Sequence, residues 1–212
     1  MIKAVIFDMD GVIIDSEGIY LKNQLSFARE KNPRIQYEDL FPMVGATKKD
    51  AWTVVANAVN NGQTWEELRE DYHRWNKMPE VDYREIFRPE VRVVMETLKK
   101  RGYVLGVASS THLELVLHVM EVNQIKDYLD VIVSGNQFQR SKPDPEIYHY
   151  TASKLGVAES ECLVVEDSTI GIAAAYAAGM TVAALIDDRF GFDRSKADYE
   201  IASVEDVLQL VL

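Results

Sequence analysis

Asp8-Met9-Asp10-Gly11-Val12 sets two carboxylates two residues apart where the first apolar run, Ile2 to Phe7, ends. If that run is a buried strand, side chains at i and i+2 share one side, so Asp8 and Asp10 face the same small volume. Gly11 lets the backbone turn sharply after them. An aspartate so placed can serve as a nucleophile, and its neighbour as general acid and then base. Further polar groups follow later strand-like runs: Ser109 and Ser110 after Val107-Ala108, Lys142 before Pro143, and Glu166-Asp167 after Leu163-Val164-Val165. A hydroxyl beside the free amides of a helix start can cradle a phosphate. Pro143 disfavours a helical conformation at Lys142, and Asp144-Pro145 reads as an N-cap followed by a proline in the first turn. The ammonium is therefore expected in a loop at a helix mouth, where a dianion is also favoured. Four carboxylates converging on one site would repel one another unless a cation neutralised them, and oxygen donors without a nearby histidine pair select Mg²⁺ over zinc. The chemistry in view is in-line phosphoryl transfer, with Asp8 attacking phosphorus and Lys142 and Ser109 balancing charge.

Each feature alone has a plain structural reading. Two aspartates after a strand suit a solvated turn, Ser109 a helix cap, Lys142 a surface charge, and Glu166-Asp167 the positive end of the next helix. An EF-hand loop is excluded, because it needs a ligand-type residue at Val12 and glycine at Ile13. Jointly, the plain readings require four coincidences of order and placement.

The elements that must position these groups follow from patterning. From Phe87 onward, strand-like and helical segments alternate. Val91, Val94, Met95 and Leu98 define a helix ended by Gly102, followed by a buried strand from Tyr103 to Ala108. A helix from Leu113 to Val122 leads to the strand Val131-Ile132-Val133, and one from Glu146 to Leu155, ended by Gly156, leads to Leu163-Val164-Val165. An Ala-rich helix from Thr169 to Ala178, a strand from Thr181 to Leu185, and a terminal helix opened by a capping box at Ser203 to Asp206 complete the set. Alternation of this kind predicts an α/β fold with a parallel sheet covered on both faces, whose sites lie at the carboxyl ends of the strands. Between Asp15 and Arg84 the pattern is helical throughout. Trp65, Leu68, Tyr72 and Trp75 make one stripe and Ala51, Val54, Val55, Ala58 and Val59 another, both expected as core of a small helical domain.

With 212 residues, 47% of them hydrophobic, the chain can bury a full core. A net charge of −11 and a pI near 4.9 exclude nucleic acid and anionic membrane surfaces as main partners. Cys162 is the only cysteine, so no internal disulfide can form and a reducing compartment fits. The first apolar stretch is too short for a signal peptide or a membrane span, which makes a cytoplasmic protein the expectation. Monomer is the default assembly. His73, His112, His118 and His149 show no metal-ligand or triad pattern.

These residues resemble phosphotransferases of the haloacid dehalogenase superfamily, in the branch with a helical cap inserted after the first strand. The resemblance rests on Asp8-x-Asp10-Gly11-Val12, Ser109 after a strand, Lys142-Pro143 before a helix, and Glu166-Asp167-Ser168 with Gly171 following. It implies a Rossmann-like three-layer core at 1–14 and 87–212 and a cap at 15–86 that closes over the substrate. It also implies an aspartyl-phosphate on Asp8, Asp10 as acid/base, and Mg²⁺ held by Asp8, the Asp10 carbonyl, Glu166 and Asp167. The start Asp-Gly-Val-Ile is similar to β-phosphoglucomutase and the sugar-phosphate phosphatases around it. The mutase carries a histidine where this chain has Tyr20, and an arginine after the cap Gly-x-Ser/Thr where Gly45-Ala46-Thr47 is followed by Lys48. A lysine lacks the bidentate fork, so hydrolysis of a small phosphomonoester ranks above mutase activity. Gly45, Lys48, Lys49 and Lys77 are the candidate cap contacts to substrate, while Thr47 and Asp50 form a capping box. Two rival classes differ in kind. A phospho-receiver domain phosphorylates an aspartate of a later strand and has no helical insertion, and a catalytically silent binding protein of the same fold would lack one of the motif residues.

Overall fold

In the computed structural model, which describes residues 1–75 and 80–211, the chain divides into two compact units, Met1–Asp15 with Tyr83–Leu212 and Ser16–Asp82. In chain order the elements are β1 (Ala4–Phe7), α1 (Glu17–Lys31), α2 (Lys48–Val59), α3 (Trp65–Arg74), α4 (Pro89–Lys100), β2 (Val104–Ser109), α5 (Leu113–Val122), β3 (Val131–Ser134), α6 (Glu146–Leu155), β4 (Cys162–Glu166), α7 (Thr169–Ala177), β5 (Thr181–Leu185), β6 (Tyr199–Ile201) and α8 (Val207–Leu210). Among the described residues, no helix is long and apolar enough to cross a membrane.

The larger unit is a six-stranded sheet in the order β3-β2-β1-β4-β5-β6, with every pairing parallel. The continuous apolar runs follow from this. A parallel strand in mid-sheet is covered on both faces, so β1 and β4 are buried at every position. Their side chains alternate between two cores. Val5, Phe7, Leu105, Val107, Leu163 and Val165 join one cluster with α4 and α5, while Ala4, Ile6, Ala108 and Val164 join another with α6 and α7. Helix α4 starts with Pro89 in its first turn and buries Val91, Val94, Met95 and Leu98, the predicted stripe.

The second crossing between units comes earlier than the apolar patterning suggests. Asp15 N–H donates to Ile86 O, and Asn123 Nδ2 donates to Tyr83 O, so residues from Tyr83 onward belong with the sheet. Two other features differ from the sequence reading, although α6 keeps its expected span Glu146–Leu155. Helix α6 opens with Pro145 as its N-cap, and Asp144 Oδ1 accepts from Glu146 N–H at 3.1 Å instead of capping as predicted. Strand β6 has no counterpart in the sequence reading.

In the smaller unit, α1, α2 and α3 gather Phe27, Trp52, Tyr72 and Trp75 into edge-to-face and stacked ring contacts with centroids 5.2 to 6.4 Å apart. Leu68, Tyr72, Val55 and Val59 are buried as the stripes predicted. Thr47 Oγ1 caps α2 by accepting from Asp50 N–H at 3.3 Å and donates to the Asp50 carboxylate at 2.6 Å.

Candidate active site

Register places the chemistry. Phe7 pairs with Val107 on one side and Val165 on the other, which puts Asp8 level with Ala108 and Glu166 at the carboxyl ends of three adjacent strands. Asp8 N–H donates to Val165 O at 2.9 Å, fixing the backbone just past β1. The carbonyl of Ala108 accepts from Lys142 Nζ at 3.0 Å, and the same ammonium lies 2.6 Å from both Asp8 Oδ1 and Glu166 Oε1. Asp8, Lys142, Glu166 and Asp167 are all buried. Lys142 thus reaches the site from the loop ahead of α6; its peptide bond to Pro143 is cis.

Glu166 is gripped from several directions. Its Oε1 also accepts from Tyr148 Oη at 2.7 Å, while Oε2 accepts from Asp167 N–H, Ser168 N–H and Ser168 Oγ at 3.2, 3.4 and 3.2 Å. Ser168 Oγ in turn caps α7, accepting from Gly171 N–H at 3.2 Å. The two glycines of the motifs are required by close approach. A Cβ on Gly11, whose φ is +83°, would lie 1.9 Å from Asp167 Oδ2, and one on Gly171 would lie 1.9 Å from Glu166 Oε1.

Burial pushes the Asp8 carboxyl up, and Glu166 and Asp10 push the same way against the pull of Lys142. Burial works against the charged form of Lys142, but Asp8 and Glu166 at 2.6 Å hold it protonated beyond its ordinary range. Tyr148 rises too, through burial first and the Glu166 charge second.

Donor atoms of Asp8, Glu166 and Asp167 lie within 4.8 Å of one another. Three carboxylates against one ammonium leave two negative charges in a dry volume, which a divalent ion would balance. The donors are oxygens alone, the set that suits Mg²⁺. The residues present therefore fit such an ion.

Of the predicted site residues, Asp8, Asp10, Ser109, Lys142, Glu166 and Asp167 come together at this end of the sheet. Ser109 closes β2, buried, with its Oγ accepting from Thr111 N–H at 3.1 Å; Ser110 beside it is exposed. The Asp10 carboxylate stands outside the group of three and accepts from Thr111 Oγ1 at 2.8 Å. Gly45, at φ +65°, and the exposed Lys48 and Lys49 belong to the smaller unit, ahead of and within the first turn of α2. Lys77 falls outside the described residues. Sequence reasoning missed Thr111, Tyr148 and the capping role of Ser168. Only Ser168 left a local signal, an N-cap residue directly before an Ala-rich helix.

Residues 5–185 match the haloacid dehalogenase-like hydrolase family. The chain belongs to this family. It is 32% identical over 181 residues to a Thermotoga maritima protein named phosphorylated carbohydrates phosphatase, covering 84% of this chain and 82% of that one. It is 31% identical over 183 residues to hexitol phosphatase B of Escherichia coli, covering 84% and 81%. Among solved structures, β-phosphoglucomutase from Clostridium difficile shares the fold with a TM-score of 0.75 at 20% identity, over 99% of this chain and 96% of that one. As a haloacid dehalogenase-like hydrolase the chain is an enzyme, and its α/β core with a parallel sheet is the family's.

Proposed function

We propose that this enzyme is a Mg²⁺-dependent phosphatase that hydrolyses small phosphomonoesters, sugar phosphates foremost, through an aspartyl-phosphate on Asp8. The observation that carries this reading is the buried Asp8 carboxylate clamped by Lys142 at 2.6 Å beside Glu166 and Asp167. Asp8 attacks phosphorus, the bond from phosphorus to the ester oxygen breaks, and Asp10 gives its proton to the departing oxygen. Water then attacks the same phosphorus, Asp10 takes a proton from it, and the bond to Asp8 breaks to release inorganic phosphate. Lys142 and Ser109 bind the phosphoryl oxygens, with Ser110 at the exposed rim. A Mg²⁺ ion held by Asp8, the Asp10 carbonyl, Asp167 and Glu166 would offset charge on the transferring group.

Carbohydrate phosphates as substrates are supported by the names of the two relatives. Gly45, Lys48 and Lys49, carried by the helical domain as a cap, are assigned to the non-reacting part of the substrate. Lys48 offers a point charge without a guanidinium's fork, which favours release of phosphate over its return at a second position. A cytoplasmic monomer that takes a diffusible metabolite is part of the same reading.

The test is phosphate release from a panel of sugar phosphates with and without Mg²⁺, run beside conversion of β-glucose 1-phosphate to glucose 6-phosphate. Release that needs Mg²⁺ and exceeds isomerisation is expected. Asp8→Asn should lower release at least about a thousandfold with an unchanged circular dichroism spectrum. Isomerisation without release would make the enzyme a mutase, and silence in both assays a binding protein.

A further inference from the structure

Thr111 has no part in the steps above, yet three of its atoms tie the site together. Its N–H donates to Ser109 Oγ at 3.1 Å, its carbonyl accepts from Ser134 Oγ at 2.6 Å, and its hydroxyl donates to Asp10 Oδ2 at 2.8 Å. Ser134 is buried, closes β3, and pairs in register with Ser109 at the end of β2. Its Oγ also accepts from Asn136 N–H at 3.3 Å, so the hydroxyl is anchored from both sides. The backbone of Thr111 is therefore held to the ends of two neighbouring strands, while its side chain reaches a residue 101 positions earlier in the chain.

We infer that Thr111 is a positioning residue for Asp10, and that the hydroxyl chain from Ser134 through Thr111 aims the Asp10 carboxylate at the attacking water. The inference rests on the reading of Asp10 as acid and base. A hydroxyl donating to Oδ2 at 2.8 Å fixes the orientation of the carboxylate that takes a proton from water when the phosphorus–Asp8 bond is cleaved. The effect should fall on this second half of the reaction. It should spare the first half where the leaving group departs without a proton.

p-Nitrophenyl phosphate separates the two halves, because p-nitrophenolate leaves unprotonated. Rapid mixing with this ester and Mg²⁺, followed through p-nitrophenolate release and acid-quenched phosphoprotein, reads formation and hydrolysis of the intermediate separately. Thr111→Val is expected to form phosphoprotein at close to the wild-type rate and to hydrolyse it roughly tenfold or more slowly, within the range that general base catalysis supplies. A burst of p-nitrophenolate and accumulated phosphoprotein would result. Thr111→Ser, which keeps the hydroxyl, should hydrolyse the intermediate within about threefold of wild type. Ser134→Ala should slow hydrolysis less than Thr111→Val, and the double variant should be no slower than Thr111→Val alone, as expected of two groups on one chain of bonds. Phosphoprotein lifetimes equal in wild type and Thr111→Val would overturn the positioning role while leaving Asp8 as nucleophile. Equal loss of both halves in Thr111→Val and Thr111→Ser would also overturn it, as a merely structural effect. Wild-type enzyme that turns over without any phosphoprotein would overturn the Asp8 reading and this inference together.

Discussion

Lys142 sets the charge balance of the site, because it is the buried ammonium that faces the carboxylates of both Asp8 and Glu166. Burying an ion costs several kcal/mol, and a good partner offsets that cost only while both members stay in place. Lys142→Ala leaves Asp8, Glu166 and Asp167 in one dry volume without their cation. The expected loss of stability is about 3–5 kcal/mol in chelator at neutral pH, read from urea unfolding midpoints. The sign of its pH dependence follows from Asp8, already raised by burial. A carboxyl whose folded pKa lies above its unfolded value favours the folded state in acid, and that contribution is lost as pH rises through the folded pKa. Without Lys142 the rise is larger. The penalty relative to wild type should therefore shrink on going from about pH 7 to about pH 5, and a penalty independent of pH would show that the ammonium is not the counter-charge.

Helix α7 is fastened to the site at its first turn, which makes a glycine there informative. Alanine at Gly171 improves intrinsic helix propensity by about 1 kcal/mol, so on an open helix face Gly171→Ala would stabilise. Here its Cβ would stand 1.9 Å from Glu166 Oε1, an atom already bonded to Lys142 and Tyr148. The glutamate must move, and overpacking of this kind costs about 1–3 kcal/mol. Gly171→Ala is expected to lower the thermal midpoint and phosphate release together. A higher midpoint with full activity would show that Glu166 relocates freely. The strands that carry the site were legible in the sequence, because parallel strands in mid-sheet read as unbroken apolar runs such as Leu163-Val164-Val165. Strand β6 was not, since Tyr199 and Glu200 are exposed and only Ile201 is buried, leaving its place to be decided by pairing with β5. Asp8 and Glu166 announced themselves by falling just after such runs, and Lys142 by its place before Pro143 at a helix mouth. Thr111 and Tyr148 did not, because their partners Asp10 and Glu166 meet them only through the folded chain.

Over the whole molecule, acidity and a buried carboxylate cluster would make folding and the proposed cation binding one equilibrium. The chain carries a net charge of −11, and its larger unit brings Asp8, Glu166 and Asp167 within 4.8 Å of one another. Unfolded, these groups come from β1 and from the end of β4, far apart in sequence, and hold no divalent ion together. An ion that binds the folded state alone stabilises it by about 2.7 kcal/mol at a hundredfold excess over its Kd. For a protein of 212 residues that corresponds to a rise of about 5–10 °C in Tm. Calorimetry with added MgCl₂ should show this rise, while NaCl at matched ionic strength should not, because screening acts on surface charges and leaves a buried cluster nearly untouched. The smaller unit, Ser16–Asp82, contains none of the three carboxylates, so where the scan resolves two transitions only one should move. Asp167→Asn removes one of the charges proposed to hold the ion, from a position against Gly11, and should abolish most of the shift. A shift that survives in Asp167→Asn would place the ion elsewhere in the protein and separate cation binding from the charge balance around Asp8.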